Sequence, residues 1–152
     1  MTEIYEITEK NIATAAKVVS HGGLVVYPTE TCYGLGTNAL ASRSVRDVYR
    51  AKDRPREKKL TMIVGSLEQA QTYAELSYTE KLLIDTFMPG PLTIVAEKKD
   101  DAIPAVTNDR FVFRIPGNET ARTLALEAGV PVIATSANIT GQGPHYRIKD
   151  IE

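Results

Sequence analysis

Short apolar runs separated by amphipathic stretches constrain the fold of this chain most strongly. Each run is long enough for a β-strand and too short for a buried helix, and the runs lie at residues 24–27, 60–64, 92–96, 111–115 and 130–134. The stretches between them place apolar residues at helical spacing. Strands that alternate with helices are typical of an α/β or α+β domain in which helices flank a β-sheet.

Residues that favour helix ends bracket several of the amphipathic stretches. Thr8 predicts the start of a helix that stops at Gly22, and Asn118 predicts the start of another that ends at Gly129. Ser42 predicts the N-cap of a third helix. Two more helices are predicted at residues 66–74 and 79–87.

The length and composition of the chain predict a single domain outside the membrane. Its 152 residues suit one domain, so we expect residues 1–152 to fold together. No apolar run approaches the roughly 18 residues needed to cross a bilayer, and the N-terminus lacks the basic and apolar regions of a signal peptide. Cys32 cannot form a disulfide within the chain because it is the one cysteine. These features predict a cytoplasmic protein with no membrane partner.

The positive charge of the chain is concentrated in residues 43–59. This segment has eight basic and three acidic side chains, a net charge of +5, although the whole chain carries −1. Concentrated positive charge attracts the phosphate groups of a nucleotide or of RNA. The solvated face of a helix can have the same composition, so charge alone leaves both interpretations open.

Two polar segments lie in the first half of the chain. Residues 28–36, with the sequence PTETCYGLG, follow the first predicted strand and predict a loop. Two threonine hydroxyls and a carboxylate precede two glycines, which allow backbone to approach a ligand closely. In the second segment Pro55 should end a helix, so we expect Lys52 and Arg54 to project into a loop. Their ammonium and guanidinium groups suit phosphate oxygens.

Two further polar segments lie at predicted strand ends in the second half. Alternation along strand 111–115 places Arg114 on the face opposite Phe111 and Phe113. A guanidinium in an apolar strand needs a partner, either a protein carboxylate or a substrate carboxylate. After strand 130–134, Ser136 and Asn138 can donate hydrogen bonds to phosphate or carbamate oxygens, although such residues are also common in turns.

Familiar catalytic and nucleotide-binding motifs are absent from the sequence. It has no P-loop, and one cysteine with two histidines supports neither a metal cluster nor a catalytic triad. Gly34, Gly36 and Ala39 formally fit a dinucleotide fingerprint, but that motif needs a strand ending at its first glycine and an immediate helix. Six residues separate Gly34 from the end of the predicted strand at Tyr27. We therefore expect any catalysis to depend on positioning and charge stabilisation.

Five motifs, in this order and spacing, resemble the family of bacterial YrdC and yeast Sua5 proteins. The family's Pro-Thr-Glu-Thr-x-Tyr-Gly-Leu-Gly, Lys-x-Arg-Pro, Pro-Gly-Pro-Leu-Thr, Arg-x-Pro and Thr-Ser-Ala-Asn-x-Ser/Thr-Gly motifs match residues 28–36, 52–55, 89–93, 114–116 and 135–141. The resemblance extends over about residues 10–150. It implies a twisted mixed β-sheet with flanking helices around a concave basic cavity.

The resemblance also implies an enzyme activity. The family comprises nucleotidyltransferases that make threonylcarbamoyl-AMP and pyrophosphate from L-threonine, bicarbonate or CO2, and ATP, with Mg²⁺ accompanying the ATP. Partner enzymes then transfer the threonylcarbamoyl group to adenosine 37 of tRNA. A carbamate oxygen attacks the α-phosphate of ATP, so negative charge builds on the phosphoryl oxygens.

Matching the motifs residue by residue carries the family's site onto this chain. The implied catalytic residues are Lys52, Arg54, Ser136 and Asn138. The implied ATP contacts are Arg54, Lys58, Ser136 and, from its place on the same strand as Arg114, Arg110. The implied threonine contacts are Thr31, Arg114 and Ala134.

The chain departs from the family pattern in three places. Some members have a histidine near the threonine where this chain has Ile63, and Ser-Pro-Thr where it has Gly-Pro-His at 143–145. Family domains usually continue for some tens of residues beyond the position of Glu152. The chain is therefore either a fragment or a minimal form with a more open site.

Two other functions fit parts of the sequence. The basic segment favours a module that binds tRNA or double-stranded RNA without catalysis, but Tyr49 is the one aromatic residue interleaved with it to stack on bases. The second alternative is a carbamoyl-transfer domain like that of hydrogenase-maturation proteins. That domain normally accompanies an acylphosphatase domain and zinc-finger cysteines, which this sequence does not contain.

Overall fold

One mixed β-sheet organises the part of the chain that the structure describes. The structure is a computed structural model that describes residues 2–99 and 110–151. Within these ranges the helices are α1 (Glu9–Ser20), α2 (Ser42–Ala51), α3 (Leu67–Tyr73), α4 (Tyr78–Phe87) and α5 (Glu119–Ala128). The strands are β1 (Val25–Tyr27), β2 (Gly34–Gly36), β3 (Thr61–Ile63), β4 (Ala74–Glu75), β5 (Ile94–Lys98), β6 (Arg110–Arg114) and β7 (Val132–Ser136).

The strand order confirms the predicted mixed sheet with flanking helices. The order is β1-β2-β7-β3-β6-β5-β4, in which β3 and β6 pair in parallel and the other neighbours are antiparallel. Gly34 pairs with Ser136, and Ile63 pairs with Arg114. The start of β2 therefore lies beside the end of β7, whereas the end of β6 lies beside the end of β3, which pairs in turn with the start of β7.

Several sequence predictions hold at the level of single residues. Thr8 caps α1 and Asn118 caps α5, each by accepting a hydrogen bond from a backbone amide three residues later. Phe111 and Phe113 are fully buried on one face of β6, where their ring centroids are 5.0 Å apart. Gly129 ends α5 with a φ of 68°, a conformation that favours glycine.

Two predictions about local structure were wrong. Residues 34–36 form β2 and do not remain a loop, because they pair with both β1 and β7. Gly36 lies so close to β7 that an added Cβ would be 2.5 Å from the carbonyl oxygen of Ile133. Ser42 is the first residue of α2, and Ala41 is the N-cap, with no side-chain hydrogen bond.

The core packs on both faces of the sheet. One buried cluster includes Leu60, Met62 and the two phenylalanines of β6, while the other joins α1, α5 and Ile63. No helix among residues 2–99 and 110–151 is long and apolar enough to cross a membrane. The two clusters fix the strands whose residues line the candidate site.

Candidate functional site

A cavity of about 160 Å³ is lined by residues of β1, β2, β3, β6 and β7 and by the loop between β1 and β2. Hydroxyl groups dominate its polar lining, and Arg114 is the one side chain with a permanent charge among the described residues that line it. Pockets for drug-sized ligands usually measure roughly 300–1,000 Å³, so this cavity suits a smaller molecule. The lining residues are Tyr27, Thr29, Thr31, Cys32, Gly34, Thr61, Met62, Thr93, Arg114, Ala134, Thr135 and Ser136.

Thr29 organises the loop that forms one wall. Its hydroxyl donates to the carbonyl oxygen of Cys32 at 2.6 Å and accepts from the backbone amides of Thr31 and Cys32 at 3.2 Å. The hydroxyls of Thr29 and Thr31 lie 3.0 Å apart. Local hydrogen bonds of this kind fix tight turns, so Thr31 is held in place beside the cavity.

Tyr27 forms a neutral, buried part of the lining. Its hydroxyl donates to the carbonyl oxygen of Ile133 at 3.0 Å, and the residue is 2% exposed. Burial raises the pKa of Tyr27 well above its ordinary value, while the charge of Arg114 acts in the opposite direction. The side chain therefore stays uncharged at physiological pH and contributes no charge to the cavity.

Arg114 combines cavity exposure with an ion pair. Its Nη1 lies 3.2 Å from Oε1 of Glu30, and the two side chains are 16% and 22% exposed. Among the described residues, no other acceptor for the guanidinium is recorded. Because a guanidinium has five N–H donors, most of them remain available to a ligand. Arg114 can therefore have both predicted partners at once. The carboxylate of Glu30 pairs with it, and the cavity leaves room for the carboxylate of a substrate.

The expectation that Lys52 projects freely into a loop was wrong. Lys52 is 2% exposed, and its Nζ donates to the carbonyl oxygens of Ser136 and of Asn138, the latter at 2.6 Å. Asn138 Oδ1 lies 3.5 Å from the same nitrogen. Burial, and secondarily the charge of Arg54, lowers the pKa of Lys52. The ammonium group thus holds the end of β7 against the end of α2.

Asn138 also uses its polar groups within the protein. Its Nδ2 donates to the carbonyl oxygens of Ile139 and Gln142, at 3.0 and 2.6 Å. The hydroxyl of Ser136 lines the cavity, and no partner for it is recorded among the described residues. Of these two residues, Ser136 therefore has the side chain available for a ligand.

The loop after α2 places two cations near this region. The guanidinium of Arg54 is half-buried and donates to the carbonyl oxygens of Lys58 and Lys59, at 3.1 and 2.9 Å. Lys58 is exposed. The hydrogen bonds of Arg54 thus stabilise the conformation of the loop, and Lys58 adds a positive charge that is exposed to solvent.

The structure brings together some of the residues predicted for the site and separates another. Thr31, Arg114, Ala134 and Ser136 line the cavity, and Lys52 connects to Ser136 and Asn138. Arg110 begins β6, four residues from Arg114, which is roughly 13 Å along a strand. Hydrogen bonds from Ser77 and, more weakly, the charge of Arg110 lower the pKa of Glu80. Arg110 therefore lies beside α4, away from the cavity.

Several cavity residues were not singled out as ligand contacts from the sequence. Glu30 lies outside this lining, and only its ion pair identifies it as the partner of Arg114. Thr61 is held by a hydrogen bond from its hydroxyl to the carbonyl oxygen of Ala134 at 2.8 Å. The other lining residues without a predicted ligand contact are Tyr27, Thr29, Cys32, Gly34, Met62, Thr93 and Thr135. Arg114 is the one basic side chain among the described residues of the lining, so the wider basic surface remains a prediction.

Known proteins are similar to this chain in sequence and fold. The family model described as telomere recombination, which bears the names Sua5, YciO and YrdC, matches residues 17–152. The threonylcarbamoyl-AMP synthase of Pyrococcus abyssi is 38% identical over 139 residues, which are 90% of this chain and 41% of that protein. The threonylcarbamoyl-AMP synthase of Bacillus subtilis is 34% identical over 146 residues, which are 93% of this chain and 42% of that protein.

A solved structure supports the same relationship. The crystal structure of P. abyssi Sua5 complexed with L-threonine matches with a TM-score of 0.86 at 37% identity. The match covers 93% of this chain and 42% of that one. The chain thus spans about two fifths of the length of these relatives.

Proposed function

Because this chain belongs to the Sua5, YciO and YrdC family, we propose that it is the catalytic domain of a threonylcarbamoyl-AMP synthase. In this proposal it condenses L-threonine, bicarbonate or CO2, and ATP into threonylcarbamoyl-AMP and pyrophosphate, the activated intermediate for modification of adenosine 37 in tRNA. The proposal depends most on the small hydroxyl-lined cavity, in which Arg114 is the one permanently charged side chain among the described residues.

The cavity has the chemistry needed to bind the amino acid. The unpaired edge of the Arg114 guanidinium suits the α-carboxylate, because guanidinium and carboxylate form short, charge-assisted hydrogen bonds. The hydroxyl of Thr31 and the methyl group of Ala134 lie on the same lining and suit the polar and apolar parts of the threonine side chain. This assignment gives each predicted threonine contact a distinct role.

ATP needs more room than the cavity provides, so we place its phosphates at the cavity edge. Ser136 lines the cavity and offers a hydroxyl, while Arg54 and Lys58 lie on the adjoining loop after α2. Among residues 2–99 and 110–151, no group of three or more histidine, cysteine or acidic residues is positioned to hold a metal. We therefore propose that Mg²⁺ arrives bound to the phosphates of ATP, as Mg²⁺ commonly does, and that it neutralises phosphate charge there.

The chemistry then depends on proximity and charge. The amine of threonine adds to CO2 and loses a proton, which gives a carbamate. A carbamate oxygen forms a bond to the α-phosphorus as the bond to pyrophosphate breaks. Arg54 and Lys58 would stabilise the charge on the phosphoryl oxygens. Lys52 would act indirectly, by fixing the backbone that positions Ser136 and Asn138.

The proposal extends to partners and location. The product would pass to a cytoplasmic complex that transfers the threonylcarbamoyl group to tRNA. The exposed arginines of α2, Arg43, Arg46 and Arg50, offer a surface for direct contact with tRNA. Binding of double-stranded RNA or tRNA without catalysis is the alternative, and the relatives named threonylcarbamoyl-AMP synthase favour the enzyme.

We expect the purified protein to convert ¹³C-labelled bicarbonate, ATP and L-threonine into threonylcarbamoyl-AMP that carries one ¹³C atom, detected by mass spectrometry. L-Serine should give less product, because it lacks the methyl group of L-threonine, and a group of that size contributes about 1–3 kcal/mol to binding in a pocket. Salt-sensitive RNA binding without any labelled adenylate would instead support the RNA-binding alternative.

A further inference from the structure

Glu30 connects the cation of the cavity to the start of a helix. One carboxylate oxygen, Oε1, lies 3.2 Å from Nη1 of Arg114. The other oxygen, Oε2, accepts a hydrogen bond from the backbone amide of Asn118 at 3.3 Å. A Cβ at Gly117 would lie 3.6 Å from Cγ of Glu30, so the stem of this side chain runs alongside the glycine. The carboxylate therefore bridges two elements that are distant in sequence.

The N-terminus of α5 is a rigid part of the fold to which Glu30 is bound. Asn118 is the N-cap of α5, and α5 packs closely against α1 with four buried residues. Helix N-termini favour negative charge because their backbone amides lack intrahelical partners. The hydrogen bond from Asn118 thus fixes the Glu30 carboxylate, which in turn holds one edge of a long and otherwise adaptable arginine.

Glu30 pairs with Arg114 from outside the cavity, so the cavity itself stays free for a substrate. Glu30 is not among the residues that line the cavity, whereas Arg114 is. The ion pair uses Nη1 of the guanidinium, and no further acceptor for Arg114 is recorded among the described residues. The remaining N–H donors are consequently directed by a carboxylate that does not itself occupy the cavity.

We propose that Glu30 is a positioning residue that aims the guanidinium of Arg114 at the carboxylate of the amino-acid substrate. This inference rests on the proposed function and adds to it the residue that sets the geometry of carboxylate recognition. Without Glu30, Arg114 keeps its charge but samples other rotamers, and a misplacement of about 1 Å can cost on the order of 100-fold in a binding or catalytic step.

The test compares two ligands that differ in the carboxylate alone. L-Threoninol has the amine, hydroxyl and methyl groups of L-threonine but an alcohol in place of the carboxylate. Binding of each ligand to the wild type, Glu30→Ala, Glu30→Gln and Glu119→Ala is measured by titration, with ATP absent. Glu119→Ala is the matched control, because Glu119 is an exposed acid in the first turn of the same helix.

We expect Glu30→Ala to raise the Kd for L-threonine by roughly 10–100-fold and to leave the Kd for L-threoninol nearly unchanged. Glu30→Gln should lose less affinity, since its amide oxygen can still accept hydrogen bonds from Asn118 or Arg114. Glu119→Ala should match the wild type with both ligands.

Two results would overturn the inference while leaving the proposed function intact. If Glu30→Ala weakened the binding of L-threonine and L-threoninol equally, Glu30 would contact the amine or support the fold. If Glu30→Ala kept the wild-type ratio of the two Kd values with L-threonine affinity unchanged, Arg114 would not need Glu30 for its orientation. Failure of the wild type to bind L-threonine at all would overturn the proposed function and this inference together.

Discussion

Replacing Arg114 with alanine is expected to raise the Kd for L-threonine by roughly 30–1,000-fold, which corresponds to about 2–4 kcal/mol. Within residues 2–99 and 110–151, the variant removes the one permanently charged side chain that lines the cavity. ATP binding measured without threonine should change little, because the phosphates are placed at Arg54, Lys58 and Ser136. Calorimetric titration with each ligand measures the two affinities separately.

The stability of the Arg114→Ala variant separates a substrate clamp from a core ion pair. We expect the free energy of unfolding to fall by only about 1 kcal/mol, because Glu30 is 22% exposed and keeps its hydrogen bond from Asn118. Arg50→Ala is a suitable control, since Arg50 forms an exposed ion pair with Asp47 on α2. If the affinity for threonine were unchanged and the free energy of unfolding fell by roughly 3–5 kcal/mol, Arg114 would be part of a structural ion pair and not a substrate contact.

Replacing Lys52 with alanine is expected to destabilise the fold by about 2–4 kcal/mol, because two partly buried carbonyl groups would lose their donor at roughly 1–3 kcal/mol each. The carbonyl groups are those of Ser136 and Asn138, and Lys52 itself is 2% exposed. For a chain of this size the midpoint of thermal unfolding should fall by roughly 5–15 °C.

Two companion variants identify the cause of that loss. Lys52→Met keeps most of the side-chain volume without the donor, so it should be nearly as destabilising as Lys52→Ala. Lys58→Ala removes an exposed lysine from the neighbouring loop and should change stability by less than about 0.5 kcal/mol. A Lys52→Ala variant that unfolds like the wild type but loses turnover would instead support a direct role in phosphate binding.

Local signals were sufficient to predict much of the sheet and its helices. The N-caps Thr8 and Asn118 and the alternation of Phe111, Phe113 and Arg114 depend on neighbours in sequence, and the structure confirms each of them. Strand β2 could not be predicted in this way. Its three residues, Gly34–Gly36, carry no alternating apolar pattern, and close packing against β7 determines their conformation.

The parts of the site that sequence reasoning missed depend on contacts between distant segments. Lys52 is buried because its ammonium meets a carbonyl group 84 residues away at Ser136. Glu30 meets the amide of Asn118 across 88 residues. Residue types and motif spacing indicated that these segments carry the chemistry, but not which side chains bind ligands and which hold the backbone in place.

If this chain activates threonine with ATP, its release of pyrophosphate must depend on the amino acid. The purified protein is incubated with ATP, Mg²⁺ and bicarbonate, with and without L-threonine, and pyrophosphate is measured over time. We predict release that requires L-threonine and is largely lost in the Arg114→Ala variant. Equal release with and without L-threonine, or none under either condition from folded protein, would contradict it.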